Sequence, residues 1–127
     1  MNKKTILFSG VTMILLVIGL WYFGFFNRFN YLTAKNDIAK NTPQKIWIGE
    51  LIISPRDMNK ISAKYGFENI GFGCVVSTTE LNGIEIYNAQ IEKYLTKING
   101  TAWKSNYIKE LDSLTKLKQQ EWKDKFN

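Results

Sequence analysis

The distribution of hydrophobic and polar positions changes character several times along this chain. From Ile6 to Phe26 (ILFSGVTMILLVIGLWYFGFF) 21 consecutive residues carry no charge. As a helix rising about 1.5 Å per residue, that run is about 30 Å long, the thickness of a bilayer's hydrocarbon core. Ser9 and Thr12 can return their hydroxyl protons to carbonyls of the preceding turn, so they cost little there. Trp21, Tyr22, Phe25 and Phe26 crowd the far end, where amphipathic rings favour the membrane–water interface. The pattern predicts a transmembrane anchor over 6–26, within an N-terminal region 1–30 that includes its short flanks.

The rival for such a run is a cleaved signal peptide, whose apolar stretch is about 7–15 residues and ends at small residues. This run is longer and ends in bulky rings, and the nearest candidate site, Leu32-Thr33-Ala34, carries Leu where a small residue is required. No Cys follows the run closely enough to take a lipid. Lys3 and Lys4 directly precede it, which favours an internal N-terminus and an exported body, although Arg28, Lys35, Lys40 and Lys45 balance the raw count.

Beyond the anchor, the mixed, Asn-, Lys- and Thr-rich segment 31–44 has no apolar stripe and ends at an X-Pro break, so it reads as a linker. Lys45 to Ser54 (KIWIGELIIS) is rich in β-branched and aromatic residues and predicts a strand. Ser54-Pro55-Arg56-Asp57 is a helix start, with an N-cap serine, proline in the first turn and a carboxylate at the positive end of the helix dipole. Met58, Ile61 and Tyr65 continue at helical spacing until Gly66. Ile70, Phe72, Cys74 and Val76 then alternate as in a half-buried strand within 67–79.

From Leu81 to Ile98 apolar residues recur every three or four positions, predicting an amphipathic helix that ends at Asn99-Gly100. Asn82-Gly83 also suits a hairpin turn with a third strand over 83–88, but the stripe continues in phase and favours the helix. Trp103, Tyr107, Leu111, Leu114 and Leu117 mark a last long helix, looser towards its end, with Trp122 and Phe126 beyond the expected core. The fold class is therefore α+β: an N-terminal transmembrane helix followed, over 45–127, by a small β-α-β-α-α domain with a minimal sheet covered by helices. Trp47, Phe72, Trp103 and Tyr107 are the large core candidates.

Composition narrows the chemistry. The chain has 127 residues, 17 Lys and Arg against 11 Asp and Glu, one Cys and no His. Lys3, Lys4 and Arg28 supply half of the net charge of +6. The basic character is thus partly a membrane-flank effect and gives no case for a nucleic-acid partner. Without His, triads and the commonest metal ligand are excluded, and a single Cys excludes an internal disulfide. Cys74 has no base or cation near it in sequence and reads as a small buried hydrophobe. Gly66, Gly71 and Gly73 match no phosphate-binding spacing. Glu80, Glu85, Glu92, Glu110 and Asp112 suit solvated helix faces better than a carboxylate pair. Asn99-Gly100-Thr101 matches a glycosylation pattern, but a helix stop followed by a helix start explains it equally well. In the anchor, Gly10, Gly19 and Gly24 lack the small-xxx-small spacing of close helix pairs.

These features predict no enzyme, cofactor or metal. They favour a single-pass membrane protein that binds another protein as an accessory or assembly subunit, with Trp122 and Phe126 as its contact residues. The alternative is a membrane-tethered ligand-binding domain with a pocket lined by Tyr65, Phe72, Tyr87 and Tyr94. The Asn-, Lys- and Ile-rich composition points to a bacterial source. The expected location is then the inner membrane, with the C-terminal domain extracytoplasmic.

Overall fold

The computed structural model of the chain describes residues 2–50 and 52–126. Helix α1 (Lys3–Tyr22) has a mean hydropathy of 2.0, and none of its side chains is buried. Leu7, Phe8 and Met13 are each more than 70% exposed, and Thr12 returns its hydroxyl to the Phe8 carbonyl at 2.9 Å. By length and composition this helix can cross a membrane.

The expected linker is the first departure. Tyr31–Ala39 forms helix α2, and its Ala34 is fully buried. The signal lies in its cap rather than in a stripe. The Asn30 side chain accepts from the amides of Leu32 and Thr33, while the Thr33 hydroxyl accepts from the Asn30 amide. The Asn30 amide group also donates to the carbonyls of Phe25 and Asn27. A cap of this kind is worth about 1 kcal/mol, enough to settle a nine-residue helix that burial against a neighbour completes. Phe29 and Ala34, both ahead of Lys45, thus belong to the core.

The sheet is minimal, as its class requires. Strand β1 (Gln44–Ile48) pairs in parallel with β2 (Glu68–Gly73), from Gln44 opposite Glu68 to Ile48 opposite Gly73, with an irregularity after Trp47. Both strands are shorter than their apolar runs. Gly49 and Gly73 adopt φ of +97° and +103°, which turns the chain out of the pleat. Leu51, in the expected first strand, lies outside the described residues. Cys74, expected to be buried, falls beyond the end of β2 and is exposed. The free edge of β1 is closed by a side chain. Asn88 accepts from the Ile46 amide at 2.9 Å and donates to the Ile46 carbonyl at 2.8 Å, standing in for a third strand.

Between the strands lies α3 (Pro55–Ser62), followed by a 3₁₀ turn over Ala63–Tyr65 and left-handed Gly66. Ser54 caps α3 at the Asp57 amide, as expected. Helix α4 (Thr78–Asn99) runs unbroken through Asn82-Gly83, so the hairpin alternative does not form; Ser77 and Glu80 close its capping box. Helix α5 (Trp103–Phe126) stays helical through the segment expected to loosen.

The core joins Phe29, Ala34, Ile46, Ile84, Tyr87, Ile91 and Leu95 to Phe67, Trp103 and Tyr107. Of the expected core aromatics, Trp103 and Tyr107 are buried, whereas Trp47 and Phe72 are half-buried at its edge. A polar hub centres on buried Asn69. Its carbonyl accepts from Trp47 Nε1 at 2.7 Å and from the Tyr107 hydroxyl at 3.0 Å, and its amide group donates to Ser62 and Asn59. Both polar atoms of the Asn69 side chain are thus fully partnered, which is the condition for a buried polar network to favour one packing over others.

Candidate functional site

Two features dominate one end of the domain: the junction with α1 and the unpacked end of α5. The junction rests on two glycines. Past Tyr22 the chain turns at Gly24 (φ +69°) and lies against the first turns of α4. A Cβ on Gly24 would collide with the Thr79 carbonyl and come within 2.7 Å of the Gly83 nitrogen. A Cβ on Gly83 would come within 2.5 Å of the Phe29 carbonyl oxygen. Only hydrogen fits on either side, so the two backbones touch. Asn82 then donates to the Tyr22 carbonyl at 2.8 Å and satisfies one of the acceptors orphaned at the end of α1. Trp21, Tyr22 and Phe26 remain exposed, while Phe25 turns half into the domain.

The direction of α5 follows from its partners. Lys104 meets Glu92, which also holds Lys45 at the start of β1. Tyr107 reaches Asn69, Leu111 shares a cleft with Trp47 and Ile53, and Trp122 shares another with Ile52. Helix α5 thus runs with the strands, towards the end where Gly24 meets Gly83. Its core face holds Leu111 and Leu114 and then runs out of domain to cover. Trp122 and Phe126 are 66% and 67% exposed, with their rings 4.9 Å apart.

The residues proposed for a ligand pocket divide between two aromatic groups of the core. Tyr87 is fully buried and donates to Asp37 at 2.7 Å, and burial followed by that carboxylate holds its hydroxyl pKa well above the usual phenol range. Phe72 packs edge-on against Phe29, on the same cluster. Tyr65 belongs to a separate group with Trp103 and Tyr107, and Tyr94 is partly buried against the core.

The acidic candidates are likewise dispersed. Burial pushes the Glu92 carboxyl up, but hydrogen bonds from Lys104 and Lys45 at 2.7 and 2.8 Å outweigh it and leave its pKa lowered. Glu110 is lowered by Lys64 and then by the Tyr65 hydroxyl, and Glu80 by the Ser77 hydroxyl it caps. Glu80, Glu92 and Glu110 are each held ionised by their own partners, which suits structure better than proton transfer. Among the described residues no three acidic or sulfur side chains gather as a metal site requires.

Comparison of the chain with protein-family models, with curated proteins and with solved structures finds no match. The apolar spacing places Trp122 and Phe126 past the core, where both are exposed, but carries no sign of the contacts of Gly24, Gly83 and Asn30. Their signal is a close approach between segments far apart in the chain, which periodicity does not register.

Proposed function

We propose that this protein is a single-pass, non-enzymatic interaction subunit of the bacterial inner membrane, anchored by α1 with its α+β domain on the extracytoplasmic face. The observation that carries the reading is the junction. Gly24 against Gly83 and Asn82 on the Tyr22 carbonyl join the apolar helix to the domain without a flexible linker. A domain mounted in this way presents one end to the bilayer and the remainder to a partner, as an accessory or assembly subunit requires. An uncleaved anchor is favoured for the same reason. Cleavage near Ala34 would remove Phe29 and the Asn30 cap, both built into the core. Lys3 and Lys4 before the apolar run support the exported orientation.

The test is extraction of native membranes with alkaline carbonate, followed by crosslinking and co-purification. The intact chain should stay with the membrane and carry a stoichiometric companion. A shortened, soluble product would rule out the anchor. An intact chain recovered alone would rule out the accessory role.

A further inference from the structure

We propose that the C-terminal end of α5 docks on the anionic headgroups of the same leaflet from which α1 emerges, giving the domain a second membrane contact. This rests on the reading of α1 as an anchor. Because β1 and β2 are parallel, the loops that follow them, through Ile52 and through Val75, lie at one end of the sheet. Helix α4 begins at that end and holds Gly24 within its first turns. Helix α5 runs to the same end, and from Leu111 it continues for about 20 Å at 1.5 Å per residue.

The chemistry of this overhang matches an interface more closely than a protein groove. At about 100° of turn per residue, Lys116, Lys118, Trp122, Lys123, Lys125 and Phe126 share one half of the helix circumference. Glu121 and Asp124 fall on the other half. The apolar rings are thus interleaved with lysines whose stems can lie along the acyl boundary while the ammonium groups reach phosphate. Ile52, 77% exposed, shares a cleft of about 300 Å³ with Lys118, Gln119, Trp122 and Lys123, and Val75 in the neighbouring loop is 93% exposed. Exposed Arg28 adds a cation beside the junction. Basic positive charge, exposed rings and proximity to an apolar helix end converge on one surface.

The full chain is reconstituted in nanodiscs of either phosphatidylcholine alone or a mixture with phosphatidylglycerol, and amide hydrogen exchange is followed. Docking predicts that exchange over 117–126 slows by about tenfold in the anionic discs, as a few interfacial lysines would give. The protection should be lost with K118E/K123E/K125E and with W122A/F126A, while protection of β1 and α4 stays unchanged. Equal exchange in both lipids would overturn the proposal, as would protection that appears only when other native membrane proteins are present; the latter would assign the face to a protein. Failure of the chain to remain in the discs under alkaline extraction would instead overturn the anchor itself.

Discussion

In the first half of α5, Trp103 and Tyr107 are 2% and 1% exposed; in its second half, Trp122 and Phe126 are about two-thirds exposed. The two halves belong to one helix, and both place aromatic rings among lysines. The difference lies in what the chain supplies opposite them. Trp103 meets Phe67 and Tyr65 and donates to Thr96 at 2.9 Å. Beyond Lys118 the sheet and α3 have ended, and Ile52 is the apolar side chain that shares a cleft with Trp122. An amphipathic stripe records that a helix needs a partner, and only the tertiary structure shows whether this chain contains it.

The sharpest way to break the comparison is to truncate the buried side. Trp103→Ala should cost about 3–5 kcal/mol, because it leaves a cavity beside Phe67 and Tyr107; denaturant midpoints measure it. Gly83→Val tests whether a filled face can be turned into an open one. Its side chain cannot coexist with the Phe29 carbonyl, so the junction should open at a cost of about 1–3 kcal/mol. Protease cleavage between residues 22 and 30 should become rapid, whereas cleavage within α5 should not change.

Smaller still is the effect of acid on the tie between α5 and the sheet. Glu92 has a folded pKa below its ordinary value of 4.5, so the stability it contributes is present above that value and is lost as pH falls through the lowered one. Glu92→Gln should therefore reduce stability at pH 7 and flatten its fall towards pH 3, as read from midpoints at the two pH values. Trp122→Ala should be nearly silent, within about 0.5 kcal/mol, because the ring is two-thirds exposed. A cost comparable to that of Trp103→Ala would erase the distinction between the two halves.

Much of this architecture was legible because local chemistry and tertiary fate agree. Ser54-Pro55-Arg56-Asp57 carries its cap in sequence, and the 81–98 stripe is long enough to override Asn82-Gly83. The disagreements have physical causes. Helix α2 lacks a strong stripe and is held by Asn30 and by the contact of Ala34, a side chain too small to mark a pattern. Cys74 alternates in phase with Ile70 and Phe72, but the positive φ of Gly73 ends the strand before it. The four pocket candidates divide between two aromatic groups for a related reason. Tyr65, Phe72, Tyr87 and Tyr94 are all aromatic and core-facing, yet the sequence cannot show that Phe29, from before the expected domain, occupies the space beside two of them.

The contact that ties Tyr22 to Asn82 spans 60 positions of the chain. At a synthesis rate of about 5–20 residues per second, α1 leaves the ribosome several seconds before the segment that receives its end exists. On the proposed reading of α1 as an anchor, that interval separates two events. The apolar helix partitions into lipid while Gly24, Phe29 and Ala34 still lack their counterpart, and α4 later closes on an end whose position is already set. The order of translation thereby becomes an order of assembly, in which the bilayer is engaged first and the core is sealed against it afterwards.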